Sequence, residues 1–317
     1  MVQDPQASLG VTTGRSRRAS RERLAAYAFL SPWTLGFLAF TAGPMLVSLA
    51  LSFSDYPILH PSQTQYVGLA NYDRALNDPV LAHSILVTLL FVALSVPADL
   101  VLGLVLAMVL NTKARGVGVF RTVFLLPVMI AGTGGASVAV ALLFLWLFQP
   151  QFGLLNYLLG LVNVPPQLWV ASSREVVPAL ALMSLWGVGR SMLIYLAALQ
   201  GVSTDILSAA EIDGASASRC FWAITLPLIS PAILFNLVLD LIGALQTFTQ
   251  AYVVTAGGPG DSSLFYLLYL YRNAFTYFQM GYASALAWLL FAFTMLVTAL
   301  LFRSARFWVF YGGSARS

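Results

Sequence analysis

A chain of 317 residues with 59% hydrophobic and only 9% charged side chains falls far below the roughly one-quarter charged composition of a soluble domain, which excludes a water-soluble enzyme or binding module. Its net charge of +4 arises from 16 basic and 12 acidic residues, and the basic ones gather at the ends of apolar runs, which excludes a nucleic-acid face and points to membrane topology. Cys220 is the single cysteine, so no disulfide can form within the chain and no cysteine-based metal site can be built.

Residues 1–23 are polar and rich in Arg, Ser and Gly, which predicts a disordered arm. Six apolar spans follow, at 24–51, 84–110, 122–148, 178–200, 231–254 and 282–302. Each exceeds the about 20 residues a helix needs to cross hydrocarbon. No water is available there to satisfy backbone groups, so each span is expected to be helical. The first is too long for the apolar core of a secretory signal and has no small-residue cleavage site after it, so it reads as a retained helix. The predicted class is an all-α membrane protein with a membrane domain over 24–312 and a short tail at 313–317.

With the N-terminus placed in the cytoplasm, Arg15, Arg17, Arg18, Arg21, Arg23, Lys113, Arg115, Arg121, Arg219, Arg303, Arg306 and Arg316 lie inside. Only Arg74, Arg174 and Arg272 lie outside, and Arg190 sits within a span. This asymmetry puts both termini and the 203–227 loop on the cytoplasmic side. Trp33, Trp146, Trp169 and Trp308 fall near span ends, where an indole suits the headgroup layer.

The outer segments are long. Residues 52–83 carry Pro57, Pro61 and the run Gly68-Leu69-Ala70-Asn71-Tyr72. Residues 149–177 contain Leu154–Leu161, too short to cross and suited to an interfacial helix. Residues 255–281 open on Gly257-Gly258-Pro259-Gly260, a turn cluster, and continue into the aromatic-rich stretch Phe265–Phe278. Such loops suit the docking of another protein; the plainer reading is that they lid the bundle. His60 and His83 in the first of them are a poor start for a metal site.

The loop at 203–227 has the layout of two short helices. Ser203 or Asp205 can cap the first, through Ala210; Gly214 can turn the chain at positive φ. Ala215 to Trp222 can form the second, with Pro227 as its stop. Small residues at Ala209, Ala210, Gly214 and Ala215 would let another surface approach the backbone, and Phe221 and Trp222 would add apolar grip. An ordinary amphipathic helix on the membrane surface is the competing reading.

Within the spans, Asp99, Arg190 and Asp240 are charges in costly positions, which mark pathways or pairs. Asp99 with Arg190 can form an ion pair between the second and fourth spans or contact a solute. Asn236, Gln246, Thr249 and Gln250 add polar groups to the fifth span. Gln246 and Gln250 are expected on one helix face, with Phe248 and Tyr252 on a neighbouring one. Amides beside aromatic rings suit a hydroxyl-rich sugar, although hydrogen bonding between helices explains such amides equally well. Trp186 and Tyr195 read as packing residues.

The 203–227 loop resembles the signature loop of permeases from ATP-binding cassette importers: Glu-Ala-Ala, three residues, Gly, nine residues, Ile, one residue, Leu-Pro. Ala209, Ala210, Gly214, Ile224, Leu226 and Pro227 match at that spacing, and Asp213 matches the Asp-Gly pair of the sugar-importing branch. The signature Glu is Ser208 here, so a charged contact to the ATPase is missing or moved to Glu211. Further short runs are similar to the maltose- and glycerol-3-phosphate-type permeases. They include Gly68–Tyr72, Phe120-Arg121-Thr122 with Leu126-Pro127, Gly153-Leu154-Leu155-Asn156, Leu199-Gln200, Gly257-Gly258-Pro259, Met280-Gly281-Tyr282-Ala283 and Trp308-Val309-Phe310-Tyr311. Thr249 departs from the Asp usual in the family.

The resemblance implies the type I importer permease fold and one half of a heterodimeric pore. A second, homologous permease would form the other half. Two ATPase subunits would seat on the signature loops, including Ser208, Glu211, Asp213 and Phe221, and an extracytoplasmic protein would deliver a sugar, oligosaccharide or phosphorylated polyol. The chain has no Gly-x-x-x-x-Gly-Lys-Ser/Thr phosphate cradle, so ATP and Mg are expected on the partner ATPase, with no cofactor, no metal and no catalysis here. An ion-coupled carrier or channel using Asp99, Arg190 and Asp240 as a relay is the rival class. An intramembrane enzyme is a weaker one, because no His-Glu-x-x-His or Gly-x-Ser-x-Gly occurs.

Overall fold

The computed structural model describes residues 26–112, 116–131 and 138–310. The expected arm at 1–23, the middle of the third span and the tail at 313–317 lie outside the described residues.

Helix α1 (Ala26–Ser52) is long and apolar enough to cross a membrane. It widens into a π turn at Leu38–Ala42 just ahead of Gly43 and Pro44. Pro44 has no backbone donor, and a Cβ on Gly43 would stand 2.8 Å from the Leu38 carbonyl oxygen, so the wide turn absorbs both. A two-stranded antiparallel ribbon follows, β1 (Ser54–Asp55) with β2 (Gln65–Tyr66), and then α2 (Ala70–Leu76).

Helix α3 (Pro79–Leu110) starts five residues before the expected boundary of 84, because Pro79 suits a first helical position and Asp78 caps it. It is the central post, packing most extensively on α8 (Gly189–Gln200), α11 (Ser230–Leu245) and α7 (Val176–Gly187). Gly103 lets it cross α8 closely, since a Cβ there would meet Ser191 Cβ at 3.0 Å. The expected third span corresponds to two shorter apolar helices, α4 (Val117–Ala131) and α5 (Val138–Leu147). The short helix α6 (Leu154–Leu161) follows.

Two expected spans are bent rather than straight. Helices α7 and α8 meet at 50°. A Cβ on Gly189 would sit 2.0 Å from the Phe124 carbonyl oxygen, so the corner exists where α4 presses against it. After α9 (Thr204–Ile212) and α10 (Ala217–Leu228), α11 leaves at 63°. The expected fifth span, 231–254, is not one helix: α11 ends at Leu245, and Gln246, Thr247 and Phe248 are non-helical before the π turn at Ala251–Thr255. Helix α12 (Tyr266–Tyr271) and α13 (Met280–Trp308) complete the chain. Among the described residues, three helices qualify as spans on their own, α1, α3 and α13, or up to five if each bent pair counts as one.

Buried apolar side chains form one cluster around Phe91, Phe148, Leu180, Phe265 and Leu286, and another around Ala107, Met192, Tyr195 and Ile229. Much apolar surface stays outside these clusters; on α1, Phe29 and Phe40 are 86% and 85% exposed, a pattern suited to lipid and costly in water.

Several of the short runs singled out in the sequence are tie points. Asn71 Nδ2 donates to the carbonyls of Ser52 and Ser54 at 2.9 and 3.0 Å, and the hydroxyls of Tyr72 and Ser52 pair at 2.7 Å. Gly281 is the only residue type that fits there, as a Cβ would stand 2.0 Å from the Ser54 carbonyl oxygen. Asn156 bonds Pro150, Gln167 and the Trp169 indole, fixing the turn around α6. Arg121 donates to the Leu110 carbonyl at 2.7 Å, a cation at the negative end of α3.

The densest tie is Asp78. One carboxylate oxygen accepts from the amides of Val80 and Leu81; the other accepts from the hydroxyls of Tyr269 and Tyr282, each at 2.6 Å. The Arg74 guanidinium lies 4.0 Å over the Tyr282 ring. Burial pushes the Asp78 carboxyl up, but the four donors outweigh it and hold the group below its ordinary value.

Candidate functional site

Two places carry functional potential: the helix pair α9–α10 and a polar cavity at the bend of α7 and α8. In the pair, the Ser203 hydroxyl accepts from the Asp205 amide at 3.2 Å and starts α9. The helix runs two residues past the expected Ala210, to Ile212. Gly214 takes φ of +79°. Its amide bonds Glu211 O at 3.0 Å, and the Ala215 amide bonds Ala210 O at 2.9 Å. These two bonds are the Schellman pattern that closes a helix with a left-handed residue.

Helix α10, opened by Ser216, corrects the expected stop. It does not end at Trp222, nor at Pro227. It runs from Ala217 through a π turn at Phe221–Thr225 and ends at Leu228. The wide turn tolerates the proline, whose missing donor would break a regular helix. The bend beyond it is pinned by Ser230, which donates to Pro227 O at 2.6 Å and accepts from the Phe310 amide at 2.8 Å. The signature positions are open to the outside: Ser208, Ala209, Glu211, Asp213 and Gly214 are exposed, and Ala210, Phe221, Ile224, Leu226 and Pro227 are partly so. Trp222 is 65% exposed and meets the Phe221 ring edge-on at 5.2 Å.

The cavity, of about 170 Å³, is lined by residues of α3, α4, α7, α8 and α11, among them Ser95, Asp99, Arg190 and Asp240, and by Thr247 and Gln250 just beyond α11. The expected pair of Asp99 with Arg190 is replaced by a different one. Arg190 Nη2 donates to Asp240 Oδ1 at 2.6 Å, while Asp99 accepts from the Ser191 hydroxyl. Successive residues on a helix diverge by about 100°. Ser191 therefore faces α3, where it packs on Gly103, and Arg190 turns toward α11. Asn236 is fully buried beside them and donates to Ser191 O at 3.3 Å.

Gln246 and Gln250 do not share a helix face, because the helix stops between them; Gln246 is exposed and Gln250 is 7% exposed. Thr249 is partly exposed beside them, and Phe248 stacks on Tyr252 outside the cavity. Ser191 and the cavity residues Ser95 and Thr247 were missed; each is a small hydroxyl in an apolar run, with the charges Asp99, Arg190 or the amide Gln246 nearby as the available signal. One acceptor at the cavity wall, Gln250 Oε1, is buried without a hydrogen-bond partner among the described residues, while the Asp240 carboxyl also meets the Asp99 side chain. An unmade bond of this kind costs free energy, and a hydroxyl-bearing solute would satisfy it. No group of three metal-ligating side chains occurs among the described residues.

Residues 85–309 match the family of binding-protein-dependent transport system inner membrane components. The chain is 41% identical over 301 residues to the probable ABC transporter permease protein YesP of Bacillus subtilis (strain 168), covering 94% of this chain and 95% of that one. It is 31% identical to the trehalose/maltose transport system permease protein MalF of Thermococcus litoralis, over 92% and 97% of the two chains. A crystal structure of a bacterial alginate ABC transporter, in complex with an alginate pentasaccharide-bound periplasmic protein, contains a chain of the same fold. It superposes with a TM-score of 0.76 at 20% identity, covering 91% of this chain and 96% of that one.

Proposed function

The chain belongs to the family of binding-protein-dependent transport system inner membrane components, and from that premise we propose how its two sites work together. It is a multi-pass membrane permease subunit of an ATP-binding cassette importer of the carbohydrate-uptake branch, partnered by an ATPase and a solute-binding protein. Membership of this family decides against an ion-coupled carrier or channel. The finer reading is a heterodimer: this chain forms half of the pathway, a second homologous permease the other half. Two ATPases bind ATP and Mg on the cytoplasmic side, where both termini also lie. Only there does the chemistry of hydrolysis occur, and this chain holds no cofactor.

The observation that carries the reading is the continuity between the sites. The exposed, small-residue face of Ser208, Ala209 and Gly214 leads into α10, whose bend at Ile229 is pinned by Ser230, and then into α11, which carries Asp240 to the cavity wall. Closure of the ATPases on nucleotide pushes the pair; α10 and α11 carry the push to the Arg190–Asp240 contact, and the cavity changes the side it faces. The solute shifts that equilibrium only by binding the two states unequally. Asp99, Arg190, Asn236, Asp240, Gln246, Phe248, Thr249, Gln250 and Tyr252 are the candidate path residues, for a sugar, oligosaccharide or phosphorylated polyol.

The test is uptake by liposomes holding this chain with its partner permease, ATPase and binding protein. Uptake should require ATP and the binding protein together. Solute uptake by this chain alone in ATP-free vesicles would overturn the reading.

A further inference from the structure

Beyond the cavity wall at Thr247 and Gln250, four aromatic rings from two separate segments form one continuous ladder. Phe248 and Tyr252 are stacked, 5.2 Å between centroids and 15° between planes. Tyr271 stands 5.0 Å from Phe248 and 5.3 Å from Tyr252, nearly edge-on to the latter at 68°. Phe275 extends the series, 5.0 Å from Tyr271. Tyr252 and Phe275 each sit in a π turn, Ala251–Thr255 and Arg272–Thr276, a wide helical turn that is frequent at functional sites.

Tyr252 and Phe275 remain 46% and 56% exposed, so their faces are open to a ligand, to lipid or to a second subunit. One end of the ladder abuts the cavity, because Phe248 lies between the cavity-lining residues Thr247 and Gln250. Gln250, in turn, is more than nine-tenths buried and holds an acceptor without a partner among the described residues. Aromatic faces carry negative quadrupole charge that attracts the positive C–H edges of a pyranose, and the unmatched amide oxygen needs a hydroxyl donor. Rings for the apolar face and a buried acceptor for the hydroxyl rim are the two halves of sugar recognition.

We propose that Phe248, Tyr252, Tyr271 and Phe275 form a stacking track that holds successive pyranose rings of an oligosaccharide in line with the cavity, the leading ring donating a hydroxyl to Gln250. This rests on the importer reading and narrows its solute to a chain of sugar rings. Tyr271 and Phe275 thereby join the path although they lie outside the apolar spans.

The experiment is uptake by the complete reconstituted importer, with neutral oligosaccharides of graded length, from two to six sugar units, as probes. In Tyr252→Leu and Tyr271→Leu, the KM for a pentasaccharide should rise about three- to tenfold more than the KM for a disaccharide, the size of one lost ring contact. Tyr252→Phe, which keeps the ring, should restore the wild-type length dependence. An equal rise at every length, or none, overturns the track and leaves the importer standing. So does failure of the Leu variants to co-purify with the partner permease, which would make the rings a subunit interface. If the wild-type importer takes up no sugar at any length, the sugar assignment itself falls and the track with it.

Discussion

The end of the bundle around Asp78 and the helix pair α9–α10 are both built from short polar segments between greasy helices, yet they solve opposite problems. At the Asp78 end the chain satisfies itself: α3, α12 and α13 converge on one carboxylate that accepts four hydrogen bonds, and α2 covers the ring of Tyr282 with Arg74. Among the described residues the pair's hydrogen bonds are local, its caps and the Gly214 turn, and Ile212 and Trp222 stay at 86% and 65% exposure. A region that closes its own hydrogen bonds is a fixed support. A region that keeps apolar and small side chains bare next to a precise turn is a surface on which a partner can dock.

The strongest test of that contrast is Asp78→Ala. It removes the α3 cap and strands two buried phenols, a loss of about 3–5 kcal/mol by the usual cost of a cap plus unpaired buried donors. Thermal unfolding of the purified chain should drop by many degrees, with ATPase coupling in the surviving protein unchanged. If the melting temperature holds, the convergence on Asp78 is not what supports this end.

Gly214→Val should do the reverse. Open space surrounds the position, so the penalty is the left-handed φ of +79° forced on a β-branched residue, about 1–3 kcal/mol held in one turn. The protein should still reach the membrane and melt near the wild-type temperature, while ATP-driven uptake falls at least tenfold. Normal uptake would remove the pair from the coupling path.

Acid should separate the two regions more gently. The Asp78 carboxyl is held below its ordinary value in the folded state, so its contribution is complete above the unfolded carboxylate value and is lost as pH falls through the lower folded one. The wild type should therefore lose stability below about pH 4, within the ordinary carboxylate range and under it. Asp78→Asn should flatten that acid limb. An unchanged limb would place the acid sensitivity elsewhere.

The apolar helices α1, α3 and α13, the two-helix layout and the Gly214 turn were legible in the sequence because hydropathy and a glycine at a signature position report local physics. The partners inside the membrane were not. Which of Arg190 and Ser191 faces α3 depends on the rotation of α8, and that is set by the close crossing at Gly103, a residue with no side chain to announce it. The break after Leu245 was hidden for a related reason: Gln246, Thr247 and Phe248 carry no Gly or Pro, and the chain leaves the helix there through tertiary packing. Pro227 misled in the other direction, since a π turn ahead of it lets the helix continue.

The smallest expected effect concerns the missing signature Glu. Ser208 and Glu211 lie three residues apart on α9, hence on one face, and both are exposed. If Glu211 has taken over the charged contact to the ATPase, Glu211→Gln should weaken assembly with the ATPase several-fold and make it less sensitive to salt, as expected for a charge at an interface rim. Adding Ser208→Glu to that variant should restore both affinity and salt dependence, since the carboxylate returns to the same face one turn earlier. Ser208→Glu alone should gain less than the double variant recovers, because the site already holds one charge. A Glu211→Gln complex with unaltered affinity and salt response would mean that the pair docks through its apolar and backbone surface alone, and the contrast with the Asp78 end would then rest on shape rather than charge.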